Sequence, residues 1–171
     1  MKRRAFIRKN GAFTLLAPFA TLSFDPLNFS SSKSGSGKPD WLLEMISNND
    51  GGVRRILERY VDDQASTYYG AVLDGFEMAT AHSLTSFLKA GICALVSPES
   101  EFYNDQELRK KIALSCSFFL SLQHEDGTID LVSTNFHSTP DTGFIVKWLA
   151  PVWRLLDTSE VAVKESITIP L

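Results

Sequence analysis

The residues best able to do chemistry fall in two polar stretches. The later one, Leu120 to Asp141, reads Leu-Ser-Leu-Gln-His-Glu-Asp-Gly-Thr-Ile-Asp-Leu-Val-Ser-Thr-Asn-Phe-His-Ser-Thr-Pro-Asp. It holds His124 and His137, two of the three histidines, together with Asp130, Asn135 and Asp141. Imidazole titrates nearer to neutrality than any other side chain, so a histidine among carboxylates suits proton transfer or the neutralising of a substrate anion. The earlier stretch, residues 62–79, supplies Tyr68, Tyr69, Asp74 and Glu77. Phenols can remove protons, and pairs of carboxylates can flank a glycosidic bond.

Asn135 and His137 stand just ahead of Ser138-Thr139-Pro140-Asp141, which spells a helix start: an N-cap hydroxyl, a first-turn proline and a first-turn acid. Unpaired amides and the helix dipole favour an anion there, and a uronate carboxylate or a sulfate fits. Each residue also has a plainer role. Asn135 and His137 can tie down a long loop, Asp141 can serve its helix alone, and Asp74 and Glu77 can be solvated. His82 and His124 read as structural or exposed. Trp41, Tyr68, Tyr69, Phe136, Trp148 and Trp153 suit stacking on sugar rings, although the two later tryptophans sit in an apolar helical pattern.

The elements that must position these residues read as helices. Asp40 is able to cap a short helix through Ile46, which Asn48-Asn49-Asp50-Gly51-Gly52 should break before a second helix begins at Val53. Residues 62–79 read as a loop. Ala81, Leu84, Leu88, Gly91, Ile92 and Leu95 form the apolar face of a third helix that ends before Ser97-Pro98. Asn104 with Glu107 predicts the start of a fourth, running to about Gln123 with apolar residues on two faces, as in a helix covered on both sides. A polar loop and a fifth helix from Pro140 to Leu156 follow, with a kink expected near Lys147 to Ala150 because Pro151 removes a backbone donor. Val161, Val163, Ile167 and Ile169 make a pattern too short to classify. The fold class predicted is all-α.

Composition narrows the function. The 171 residues, 44% of them hydrophobic and 22% charged, suffice for one domain with a core. The five basic residues before Phe24 face no acid, and twelve basic against twenty acidic residues follow. An acidic body without a basic stripe argues against a nucleic-acid partner. Residues 1–24 combine a basic head with an apolar run too short to span a bilayer, as in an export signal, and no stable membrane span is expected after processing. Residues 25–39 are a Ser/Gly-rich linker. Cys93 and Cys116 lie in apolar helical runs with no ligand spacing around them; buried free thiols are expected ahead of a disulfide, with neither metal nor cofactor. Gly-rich phosphate loops, His-Glu-x-x-His and Gly-x-Ser-x-Gly do not occur.

Two resemblances extend this reading. Arg3-Arg4-Ala5-Phe6-Ile7-Arg8 resembles the twin-arginine export motif, which implies the twin-arginine export machinery as a partner and a periplasmic or secreted destination. Gln123-His-Glu-Asp126-Gly127 after a long apolar helix resembles the Gln-x-x-Asp-Gly turn of α/α toroids. With Asp130…Asn135-Phe136-His137…Asp141, residues 40–157 look most like the N-terminal part of a secreted glycoside hydrolase or polysaccharide lyase of the heparinase II/III-like kind. The resemblance implies helical hairpins of an incomplete α/α toroid over residues 40–171, and a polysaccharide or oligosaccharide substrate that is acidic. In such a lyase an amide and an imidazole neutralise the sugar carboxylate while a Tyr or His removes the neighbouring proton. Tyr68, Tyr69 and His137 are then the catalytic candidates, and Asp74, Asp130, Asn135 and Asp141 the substrate-binding ones. The alternative is a non-catalytic exported binding or scaffold module.

Overall fold

The computed structural model describes residues 37–158. The export signal, nearly all of the linker and the pattern after residue 158 lie outside the described residues. Four helices and one short ladder make up the rest: α1 (Asp40–Leu57), α2 (Ala81–Val96), α3 (Gln106–Leu122), β1 (Ile129–Leu131), β2 (Asn135–Ser138) and α4 (Thr139–Thr158). The described chain is mostly helical, and no described helix is long and apolar enough to cross a membrane.

Helix α2 is the centre of the packing and touches α1, α3 and α4. Its Leu84, Phe87, Leu88, Ile92 and Leu95 are fully buried. The two-faced burial expected of α3 belongs instead to α2: α3 buries one stripe, Leu108, Ile112, Cys116 and Phe119, while Leu114, Phe118 and Leu122 are only half-buried. Gly91 leaves room for α3, since a Cβ there would lie 3.3 Å from Ile112 Cδ1. From α4, Ile145, Leu149, Val152 and Leu156 complete the core.

Several helix boundaries differ from expectation. Helix α1 is continuous through Asn48–Gly52 because tertiary bonds hold that polar run: Asn49 Nδ2 donates to Ala90 O at 3.0 Å, and buried Asp50 accepts from Ser100 Oγ at 2.7 Å and from Glu101 N at 3.0 Å. Those bonds replace the local ones by which Asn and Asp interrupt helices. Pro39, not Asp40, occupies the N-cap position of α1. Helix α3 is capped by Asp105, which accepts from Leu108 N at 2.6 Å, while Asn104 takes a left-handed φ of 53°. Helix α2 has the capping box that α3 was expected to have: Thr80 and Ser83 bond each other's backbone amides. Helix α4 continues through Pro151.

The polar connection after α3 is not an irregular loop. Its β1 and β2 pair antiparallel, Ile129 opposite Ser138 and Leu131 opposite Asn135, with an irregularity between them. Residues 60–80 are likewise ordered without forming an element. Isolated bridges join Tyr60 to Val72 and Leu73 to Ala79, and Ser83 Oγ donates to Val72 O at 2.7 Å, fixing the segment to the start of α2.

Candidate functional site

The Gln-x-x-Asp-Gly turn places the first histidine. Gly127 has φ 82°, a region glycine enters without strain, and the turn closes through Gly127 N to His124 O and His124 N to Thr128 O, both 2.9 Å. Gln123 Nε2 donates to Gly127 O at 2.9 Å, so the motif's glutamine braces its own glycine. Asp126 Oδ1 accepts from Thr128 N at 3.0 Å and from Thr128 Oγ1 at 2.6 Å. Those two bonds, with a smaller contribution from His137, hold the Asp126 carboxyl down at about 2.

The ladder then returns the second histidine to the first. The rings of His124 and His137 stack 3.8 Å apart at 18°. Each imidazole has its own carboxylate: His124 Nε2 lies 2.7 Å from Asp130 Oδ1, and His137 Nδ1 lies 3.2 Å from Asp126 Oδ2. His137 adopts φ 50°, an uncommon backbone for a residue with a Cβ, and its amide donates to Asp130 Oδ1 at 2.8 Å. That amide, and then His124, lowers the pKa of the Asp130 carboxyl. Asp130 is therefore an ionised acceptor, with Oδ1 committed to the hairpin and Oδ2 bonded by no described residue.

Asp130 also opens onto a cavity of about 230 Å³, lined on its other sides by Asp74, Phe76, Met78, His82 and Val132 among others. Asp74 is built in the same manner as Asp130. Its Oδ1 accepts from Phe76 N at 2.8 Å and Met78 N at 3.1 Å, which folds the segment into a tight loop and raises Phe76 to 83% exposure. Its Oδ2 has no described partner. His82 reaches the cavity from the first turn of α2. Behind it, Trp148 meets the ring edge-on with centroids 6.0 Å apart, and Asp141 Oδ1 lies 3.6 Å from Nε2. Two carboxylates, an imidazole and an exposed phenyl ring thus share one recess.

The residues singled out from sequence are dispersed. Asp74 and Asp130 come together in this cavity. His137 lies on the outer side of the hairpin, tied to Asp126 and Thr128 and half-exposed. Asn135 and Asp141 are joined through buried Ser138: Asn135 Nδ2 donates to Ser138 Oγ at 3.0 Å, and the Ser138 hydroxyl bonds Asp141 Oδ2. Helix α4 therefore carries its own carboxylate at its N-terminus, in the place expected for a substrate anion. Tyr68 and Tyr69 do not meet His137 in the cavity. Their turn packs on the middle of α3, where Ser115 Oγ donates to Gly70 O at 2.6 Å and the Gly70 Cα faces Leu114. Glu77 is exposed at φ 60°. His82, Phe76 and Met78 are cavity residues that the sequence did not signal; the capping box that sets His82 in the first turn of α2 was the available clue.

Both cysteines are free thiols; burial raises Cys93 and pushes Cys116 up to about 12. Among the described residues no group of three or more His, Cys, Asp or Glu is arranged to hold a metal ion. No family model, curated protein or solved structure matches this chain.

Proposed function

We propose that the chain is a carbohydrate-active module, exported and built as part of an α/α toroid, that binds an oligosaccharide at the Asp74–His82–Asp130 cavity and cleaves it by hydrolysis rather than elimination. The observation that carries this reading is the sharing of one recess by two carboxylates, each with a spare oxygen, and by the exposed ring of Phe76. Spare carboxylate oxygens accept vicinal sugar hydroxyls, and an exposed ring offers an apolar face to the C–H side of a sugar. The cavity is smaller than the roughly 300–1,000 Å³ of a drug-sized site, so it holds part of a chain.

Hydrolysis is favoured because glycosidic cleavage needs a pair of acids, whereas elimination needs a base beside the neutralised carboxylate. Tyr68 and Tyr69, the expected bases, lie against α3 and outside this cavity. Asp130, held ionised, serves as base or nucleophile, and Asp74 and His82 are the other titratable side chains that border the recess. The test is a panel of oligosaccharides incubated with the full chain and with Asp74→Asn. New reducing ends from the wild type alone support hydrolysis. Unsaturated products would establish elimination, and binding without either product would establish the non-catalytic module.

A further inference from the structure

The cavity is one lobe of a longer groove. A second recess of about 300 Å³ shares Asp74, Thr80 and His82 with it and runs on to Ile56 and Arg59 at the end of α1. A third continues from Arg59 to Arg55 and Glu58. The groove therefore passes from a basic arm on α1, across His82, to the carboxylates and Phe76.

The charges along it are unequally matched. Of the two arginines in the last turn of α1 and the one just past it, Arg54 pairs with Glu101, whereas Arg55 and Arg59 form no ion pair with any described carboxylate. Arg59 lines the same recess as Asp74 without bonding it. Its backbone is fixed, since Leu73 N donates to Arg59 O at 3.1 Å and joins the end of α1 to the segment that carries Asp74. Arg59 is exposed and lines the recess with its donors unused, and a guanidinium matches the planar geometry of a carboxylate or sulfate.

We infer that Arg59 is the anion-recognising residue of this groove, so that the oligosaccharide is acidic and lies with a uronate or sulfated ring at Arg59 and a neighbouring ring between Asp74, Asp130 and Phe76. The inference rests on the proposed sugar site and gives it an orientation. It also replaces the helix start at Ser138, which Asp141 fills, as the place where the substrate's negative charge is met. Arg59 acts by binding; Asp74 and His82 border its recess, and Asp130 lies in the adjoining one.

The experiment is a binding titration of the full chain against matched pairs, each a uronate-containing oligosaccharide and its carboxyl-reduced neutral form. The wild type is expected to prefer at least one acidic member over its partner by about tenfold or more, the usual weight of a hydrogen-bonded charge pair. Arg59→Gln should abolish that preference while still binding the neutral form, and Arg59→Lys should restore part of it, with unfolding temperatures unchanged in both. Equal binding of acidic and neutral forms by the wild type would overturn the inference and leave the sugar site standing. A preference that survives in Arg59→Gln would overturn the role of Arg59. Binding of no member would overturn the sugar site itself.

Discussion

Asp50 offers the sharpest test of how α1 is held to the turn after α2. It lies in α1, is 5% exposed, and receives Ser100 Oγ at 2.7 Å and Glu101 N at 3.0 Å from the turn that follows α2. Ser100 Oγ in turn accepts from Phe102 N at 3.1 Å, so the hydroxyl's own proton must go to Asp50. Asp50→Ala removes two acceptors at once. Hydrogen bonds to a charged partner contribute about 1.5–3 kcal/mol each, and releasing a buried charge offsets part of that, so a net loss of about 2–4 kcal/mol is expected. Asp50→Asn should cost about half as much, because one amide oxygen can serve only one of the two donors well. Urea unfolding of the full chain, followed by far-ultraviolet circular dichroism, measures both. A loss below about 0.5 kcal/mol for Asp50→Ala, the range of an ordinary surface change, would refute the reasoning. So would an Asn variant less stable than the Ala one.

Further predictions concern the loops and the site. The Asp126 carboxyl is depressed from 3.8 to about 2 in the folded chain, so its contribution is complete above 3.8 and is lost as pH falls through about 2. The amide proton of Thr128 should report that low midpoint in an NMR titration, and a midpoint at 3.8 would remove the proposed hydrogen bonds. Gly70 sits at φ 87° with its Cβ direction 3.1 Å from Leu114 O. Gly70→Ala should therefore destabilise by about 2–3 kcal/mol in the same urea assay, combining left-handed strain with a backbone clash; an unchanged midpoint would contradict that placement. Phe76→Ala should weaken oligosaccharide binding in a calorimetric titration while leaving the thermal midpoint within about 1 °C, since an exposed side chain contributes little to the core. Undiminished binding would remove Phe76 from the site.

How much was legible in the sequence follows from which interactions are local. The apolar period of Leu84, Leu88, Ile92 and Leu95 announces α2, and Ser97-Pro98 announces its end, because both signals act within a turn or two. The start of α4 at Ser138–Asp141 was equally plain. Sequence and structure part where distant partners override local preference. Asn49 and Asp50 look like helix breakers until Ala90, Ser100 and Glu101 bond them. The hairpin at residues 129–138 has the sequence of a loop because its short strands alternate polar and apolar residues over too few positions for period two to show. In the site, Asp74 and Asp130 were nameable as acids, but their meeting depends on how the 73–79 loop and the β1–β2 hairpin fold against α2. Tyr68 and Tyr69 carried the right chemistry, yet the turn containing them is held to α3 by Ser115, away from His137.

The most direct test of the central claim is chemical-shift mapping of the backbone amides of the isotopically labelled full chain during an oligosaccharide titration. Saturable shifts are expected at Asp74–Met78, His82 and Asp130–Ser133, with Tyr68 and Tyr69 unmoved. Shifts centred on Tyr68 and Tyr69, or none across the panel, would contradict that claim.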